Sequence, residues 1–214
     1  MNKKNGLGRI AVAIGMLVAS TTYAQWYAGG SGGQSRMDYN SSQLVSDLAA
    51  AGITGSGSVG NTDIGGKLFV GYQFNRYFAL EGGYFNMGRF ATINGAFTAP
   101  APGGTFASDL KGQGGNIDAV GILPLGENGF SLLGRAGAAY FETKASLTST
   151  GAVLVGYSNT TSSKTVPELG IGVQYDFTKT IAGRVEAQRY FKVGNGNTGS
   201  GDVDFYSAGI IVRF

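Results

Sequence analysis

The sequence predicts an all-β fold: an eight-stranded antiparallel up-and-down barrel that spans a membrane, with short turns at one end and long loops at the other. Three observations lead to this prediction. Eight segments of about ten residues or more alternate between apolar and polar side chains with a period of two. The connections between them are alternately long and short. The last segment ends the chain on an aromatic residue, Phe214.

The composition supports a membrane barrel. Charged residues make up 14% of the chain, well below the roughly 25% of an ordinary soluble domain. The 214 residues include 38 glycines, 11 tyrosines and 13 phenylalanines. Abundant aromatic residues are typical of strands that place aromatic girdles at the two membrane interfaces. A hydrophobic content of 43% argues against disorder.

The first 24 residues are predicted to be a cleaved signal peptide. Lys3, Lys4 and Arg9 precede an apolar run from Ile10 to Val18, which is too short to cross a bilayer as a helix. Small residues before and at Ala24 predict cleavage there, which leaves residues 25–214 as an outer-membrane barrel domain.

The charge balance excludes one class of partner. The three basic residues of the signal peptide account for the formal net charge of +3, so residues 25–214 are neutral. We therefore expect no nucleic-acid partner. The sequence contains no Cys, so an oxidising compartment is allowed but no disulfide forms.

The alternation of apolar and polar side chains places the eight strands. They are predicted at 25–34, 62–74, 77–88, 112–124, 130–143, 165–177, 180–192 and 203–214. One face of the first strand carries Trp26, Ala28 and Gly30. The lipid-facing residues of the second to fourth strands are Ile64, Leu68, Val70, Tyr72, Phe74, Phe78, Leu80, Tyr84, Ile117, Ala119 and Leu123. Those of the fifth to seventh are Phe130, Leu132, Ala136, Ala138, Tyr140, Leu169, Ile171, Val173, Tyr175, Phe177, Ile181, Val185, Ala187 and Phe191.

The connections are predicted from their turn residues. Asn75-Arg76, Gly126–Gly129 and Thr178-Lys179 are short turns. The long loops are predicted at 35–61, 89–111, 145–163 and 194–202, with a short helix at 42–51 that Gly52 ends.

The opposite face of the strands carries charges, which must point into the barrel. These are Asp63, Lys67, Glu81, Asp118, Arg135, Glu168, Asp176, Arg184, Glu186 and Arg213. An eight-stranded barrel is just wide enough for side chains to fill it, so buried charges must pair. The residues near the strand centres, Lys67, Glu81, Arg135, Arg184 and Glu186, are the candidates for a central salt-bridge network. Such a network is either a structural polar core or a gate that passes small ions.

Four segments resemble the outer-membrane protein A (OmpA) type of barrel, which shares its architecture with opacity-type surface proteins. Ala79–Arg89 is similar to the third strand of that family, and Phe177–Glu186 to its sixth turn and seventh strand. Trp26–Gly29 and Ser207–Phe214 are similar to its first and last strands. The resemblance implies a bacterial outer-membrane location. Because the chain stops at the barrel, we expect no peptidoglycan-binding domain.

In that family a Glu, a Lys, a Glu and an Arg on strands three, four, six and seven form a lumen gate. Glu81 and Arg184 match the first and last of these. Val120 and Gln174 occupy the other two positions, so Lys67 and Arg135 are the candidate substitutes.

The closing strand is expected to carry the membrane-insertion signal. Its apolar face presents Tyr206, Ile210, Val212 and Phe214. In the family that this strand resembles, the barrel-insertion machinery reads this segment.

These features predict a structural and surface protein of the outer membrane with a plugged polar lumen. A narrow gated ion channel of porin-like kind, an adhesin that binds through its loops and, more remotely, a soluble lipocalin-like carrier are the alternatives. The expected partners are outer-membrane lipid and lipopolysaccharide, periplasmic chaperones, the barrel-assembly machinery and a surface ligand of loops 35–61 and 89–111. No enzyme is expected, because the sequence has no His to serve as a base, and no cofactor or metal site is expected.

Overall fold

The computed structural model describes residues 24–38, 41–50, 52–99, 101–151, 157–195 and 199–214. These form ten strands and one helix. The elements are β1 (Gln25–Met37), α1 (Ser41–Ala50), β2 (Thr54–Gly60), β3 (Thr62–Asn75), β4 (Phe78–Asn86), β5 (Ala91–Ala99), β6 (Gly104–Pro124), β7 (Phe130–Ser149), β8 (Tyr157–Asp176), β9 (Ile181–Asn195) and β10 (Gly199–Arg213). All but one residue of the predicted signal peptide lie outside the described residues.

Eight of the strands close into a ring. Each pairs antiparallel with its neighbours in the order β1, β3, β4, β6, β7, β8, β9 and β10. The ring closes where β10 pairs with β1, from Tyr27 opposite Arg213 to Met37 opposite Val203. Phe214 N–H donates to the Trp26 carbonyl at 3.0 Å. The predicted eight-stranded antiparallel barrel is confirmed.

The predicted loops 35–61 and 89–111 are wrong in extent, because much of each is strand. β2 and β5 pair with each other, and the register of Gly66 opposite Asn86 continues in Gly60 opposite Thr92. They therefore prolong β3 and β4 beyond the ring, while β6 already begins at Gly104. Small and polar residues are frequent in these extensions, and this composition resembles that of a loop.

The other two long loops are also shorter than predicted. β7 continues to Ser149 and β8 begins at Tyr157, so most of the described residues within the predicted loop 145–163 are strand. β9 and β10 likewise reduce the predicted loop 194–202. The strands thus rise well past the membrane-spanning part on this side.

Helix α1 lies in the first long connection, at 41–50 where the sequence predicts 42–51. Gly52 ends it with a φ of 75°, and Ile53 N–H donates to the Leu48 carbonyl at 2.9 Å. Leu44 is buried against Gly57 of β2, where a Cβ would lie 2.7 Å from the Leu44 side chain. No helix among the described residues is long and apolar enough to cross a membrane.

The outer face of the ring is apolar and bounded by aromatic residues. Ile64, Ile171 and Phe214 are 80%, 71% and 72% exposed, which fits contact with lipid rather than water. Around the short turns, the aromatic residues are Trp26, Tyr72, Phe74, Phe78, Phe130, Tyr175 and Phe177. Toward the long strand ends, exposed tyrosines stand at 84, 140 and 206. The two girdles mark the limits of the hydrocarbon.

The absence of Cys from the sequence allows a test of which end faces the cell exterior. In outer-membrane barrels the short turns face the periplasm and the long loops face the cell exterior. We therefore expect an Ala101→Cys variant, in the connection between β5 and β6, to react with a membrane-impermeant maleimide on intact cells. A Glu127→Cys variant, in the turn between β6 and β7, should react only after the outer membrane is permeabilised. Both positions are exposed. The reverse labelling pattern would contradict this orientation, and the protein without Cys is the blank.

Candidate functional site

The inside of the ring is filled by three layers of side chains. A polar layer lies between two apolar layers. The outer apolar layer, toward the long strand ends, comprises Met37, Phe85, Met87, Phe90, Ala91, Leu110, Ala139, Phe141, Val166, Tyr190, Val193, Val203 and Phe205. The inner apolar layer, toward the short turns, comprises Tyr27, Phe69, Ala79, Val120, Ile122, Leu133, Ala182 and Ile211.

Glu81 is the hub of the polar layer. Its carboxylate is 1% exposed and accepts from Tyr27 Oη at 2.7 Å and from Arg184 Nη1 at 2.5 Å. Its second oxygen forms a close ion pair with Arg135. These four side chains come from β4, β1, β9 and β7, so the contacts join strands across the barrel as well as along it. A carboxylate with three partners of this kind is fully compensated for its loss of water.

The two arginines extend the network. Arg135 also lies 3.3 Å from Asp118 and 3.2 Å from Glu186. Arg184 donates to Gln174 Oε1 from Nε at 3.2 Å and from Nη2 at 3.1 Å. Its guanidinium stands 5.4 Å from the centre of the Phe69 ring, the geometry of a cation–π contact with the inner apolar layer.

A second cluster contains Lys67, Asp118, Asn116 and Glu168. Lys67 Nζ lies 3.6 Å from Asp118 Oδ2. The Asn116 amide donates to Asp118 at 2.6 Å and to Glu168 at 2.7 Å, so it bridges the two carboxyl groups. One oxygen of each carboxyl, Asp118 Oδ1 and Glu168 Oε2, is buried without a hydrogen-bond partner among the described residues.

Glycines make room for the long polar side chains. Gly71 stands opposite Tyr27, and a Cβ there would lie 2.2 Å from the Tyr27 ring. A Cβ on Gly170 would lie 2.8 Å from Arg135 Cγ. Both side chains therefore lie flat over a glycine on the way to Glu81.

The structure brings the five candidate network residues into one layer. Glu81, Arg135, Arg184 and Glu186 contact one another, and Lys67 joins them through Asp118. Of the positions matched to the family gate, Gln174 accepts from Arg184, whereas Val120 is buried in the inner apolar layer. Arg135, not Lys67, is the second cation on Glu81.

Sequence reasoning left Tyr27, Asn116, Asp118 and Glu168 out of the network. Both Asp118 and Glu168 belong to the inward face: Asp118 lies at the centre of the predicted strand 112–124, whereas Glu168 lies three residues from the centre of the predicted strand 165–177. In a tilted, staggered barrel the strand centres do not share one height, so this criterion selects too few residues. Tyr27 and Asn116 are neutral, so a search for charged residues on the inward face does not select them.

The four residues proposed as an insertion signal lie on the lipid-facing side of β10. Tyr206, Ile210, Val212 and Phe214 are all exposed. They lie apart from the lumen and touch none of its charged groups.

The layer has one more acid than it has bases. Lys67, Arg135 and Arg184 are buried together with Glu81, Asp118, Glu168 and Glu186. Unpaired charge in a dry interior costs several kcal/mol. Asp118 has two cations within 4.0 Å, Lys67 and Arg135, whereas Glu168 has no ion pair among the described residues. Glu168 is therefore the carboxyl whose charge the layer needs least.

Two matched substitutions test this assignment. We expect Glu81→Gln to lower the free energy of unfolding by about 3–5 kcal/mol, because two buried arginines lose their shared anion. We expect Glu168→Gln to change it by about 1 kcal/mol or less, because the amide keeps the Asn116 contact and removes the surplus charge. Urea unfolding in lipid vesicles, followed by fluorescence of Trp26, the single tryptophan of the sequence, measures both. Equal losses would contradict the assignment.

Comparison with known proteins places the chain among outer-membrane barrels. It is 27% identical over 218 residues to outer membrane protein A of Serratia marcescens, covering 96% of this chain and 56% of that protein. The chain thus spans about half the length of this curated relative. The crystal structure of OprG from Pseudomonas aeruginosa has a TM-score of 0.53 at 13% identity, covering 89% of this chain and 96% of that one. Ail of Yersinia pestis has a TM-score of 0.47 at 17% identity, covering 89% and 97%.

The family is established by a match along nearly the whole described sequence. Residues 21–214 match the OmpA-like transmembrane domain. The location predicted from the girdles and the closing strand agrees with this match. The chain belongs to the OmpA-like transmembrane domain family and is a multi-pass β-barrel of the bacterial outer membrane.

Proposed function

We propose that this protein is a structural and surface-presenting barrel whose lumen is closed to ions. The observation that carries the proposal is the stacking of the polar layer between two buried apolar layers. Phe85, Phe90, Phe141, Tyr190 and Phe205 are each at most 1% exposed and fill the lumen on the outer side. An ion on the barrel axis would have to shed its water among these rings.

The polar layer adds a second barrier. An ion would also have to separate Glu81 from Arg135 and Arg184, which are held by direct contacts at the centre of the barrel. Breaking such a buried pair costs about 3–5 kcal/mol. The ion pairs therefore act as cross-braces between β4, β7 and β9, and the role that fits them is mechanical.

Single-channel recording separates the closed barrel from the gated channel. For the protein purified from outer membranes and for its Arg184→Ala variant, we expect no discrete conductance steps, because both apolar layers remain in place. A heat-modifiable band on gels shows that each protein is folded, and a porin added afterwards shows that the bilayer responds. Discrete steps that change in the Arg184→Ala variant would establish the gate instead.

We also propose that β10 is recognised by the barrel-assembly machinery after delivery by periplasmic chaperones. Its exposed apolar face supports this, since Phe214 is 72% exposed and stands at the seam where β10 meets β1. The edge and the apolar face of β10 remain exposed until β10 pairs with β1 and closes the ring.

Two aromatic substitutions at the periplasmic girdle test recognition of β10. We expect Phe214→Ala to reduce the amount of folded protein in the outer-membrane fraction several-fold. Phe177→Ala is the matched control, because Phe177 is an equally lipid-facing ring, 59% exposed, outside β10. Equal reductions would mean that the loss comes from weaker anchoring in lipid and would contradict a signal.

Binding through the extensions is the second candidate function. The specific observation in its favour is the sheet formed by β2, β5 and the outer ends of β6, β7 and β8, which projects beyond the upper tyrosine girdle. A paired sheet holds a surface in one shape more firmly than a free loop, so β2 and β5, which lie within the predicted loops 35–61 and 89–111, present a preformed face to a ligand. The sequence has no His, which supports a binding role over a catalytic one.

A further inference from the structure

The outer surface of the barrel carries a pair of like charges. Lys111 of β6 and Lys144 of β7 are register partners, and both side chains are exposed on the lipid-facing side of the sheet. Like charges directly opposite each other in neighbouring strands destabilise a sheet. The register of β6 and β7 is unbroken from Phe106 opposite Ser149 to Pro124 opposite Ser131, so the two lysines are held opposite one another.

Only one of the two lysines, Lys144, has a protein carboxylate as an ion-pair partner within the described part of the chain. Lys144 Nζ lies 3.1 Å from Glu142, whose other contact is the Gln113 amide at 3.0 Å. Lys111 makes no ion pair within the described part of the chain. The surface around Lys111 and Lys144 therefore keeps a net positive charge.

A third cation stands beside them. Arg89 follows Gly88, whose carbonyl accepts from Gly112 N–H at 3.2 Å, so Arg89 borders the Lys111 position of β6. Its side chain is 57% exposed and lies 4.0 Å from the Asp109 carboxylate, and its backbone N–H donates to Asp63 at 2.6 Å. The three residues Arg89, Lys111 and Lys144 are called the basic row below.

The height of the basic row identifies the ligand chemistry. Tyr140, which belongs to the upper tyrosine girdle, lies four residues before Lys144 on β7, and its register partner Gly115 lies four residues after Lys111 on β6. At a rise of ~3.3 Å per residue this is about 13 Å along tilted strands. The row thus lies just outside the hydrocarbon, at the level of the phosphate groups of outer-leaflet lipid.

We propose that the basic row binds a phosphate group of the outer-leaflet lipid, the phosphorylated lipid A part of lipopolysaccharide. Its anionic oxygens bridge Lys111 and Lys144 and remove their repulsion, while the acyl chains lie against the apolar face around Tyr84 and Tyr140. The lipid then fastens the β6–β7 hairpin at the outer surface as the ion pairs fasten it inside. This inference rests on the proposed orientation of the barrel.

Native mass spectrometry of the delipidated full-length mature protein in detergent micelles tests the proposal. We expect bisphosphorylated lipid A to bind, and the Lys111→Gln/Lys144→Gln double variant to bind it about thirty-fold more weakly. Lys179→Gln, which removes an exposed lysine from the short turn before β9, should bind as the unaltered protein does. Lys111→Arg/Lys144→Arg should also retain binding, which shows that positive charge rather than the lysine side chain itself is required, and a heat-modifiable gel band for the Lys111→Gln/Lys144→Gln variant excludes misfolding.

Three results would overturn the proposal. The first is that the double variant binds lipid A as tightly as the unaltered protein does. The second is that the unaltered protein binds dephosphorylated lipid A as tightly as the bisphosphorylated form. The third is that inorganic phosphate displaces lipid A at concentrations near the dissociation constant of phosphate itself. The last would show a site for a free anion rather than for lipid. Because binding in micelles requires neither a conductance measurement nor insertion into a cell, a failure here leaves the closed-barrel function standing.

Discussion

The barrel depends on the compensation of Glu81, a carboxylate buried at its centre. Glu81 is 1% exposed, so its partners must be protein groups, and each of its three donors belongs to a different strand. The ring of backbone hydrogen bonds fixes neighbouring strands, but only contacts through the lumen join β4 directly to β7 and β9. The network therefore adds direct contacts across the lumen to the backbone hydrogen bonds of the closed sheet, and these contacts resist changes in the shape of the barrel.

This brace requires a particular use of small residues. A side chain as long as Arg135 or Tyr27 reaches the barrel axis only where the neighbouring strand offers no Cβ, and Gly170 and Gly71 meet that need. The high glycine content therefore has a packing cause inside the lumen. It is distinct from the cause at Gly52, where the backbone turns out of α1 with a positive φ.

The sequence predicts the faces of the strands far better than their heights. Alternation assigns Glu168 or Ile171 to a side without knowledge of any partner, because the side-chain period of a strand is two. Pairing across the lumen depends on tilt and stagger, which no single strand encodes. For this reason Val120 matches a gate position by sequence and yet lies in an apolar layer, while Arg135 contacts Glu81. The extensions escape prediction for another reason: β2 and β5 are rich in Gly, Ser, Thr and Ala, and such a composition predicts a loop.

Charges are balanced differently on the lumen-facing and lipid-facing sides of the barrel. Inside, no solvent is available, so every base has an acid and one acid is in excess. Outside, at the basic row, the excess is positive, and the nearest source of compensation is the phosphate of the surrounding lipid. The barrel domain has no net charge, but it carries a surplus of negative charge in the lumen and a surplus of positive charge at the basic row. The lumen surplus lies on the carboxyls that Asn116 bridges and is buried, whereas the outer surplus lies on exposed cations. Because only the outer surplus is within reach of the surrounding lipid, we propose a closed lumen for the first and a lipid ligand for the second.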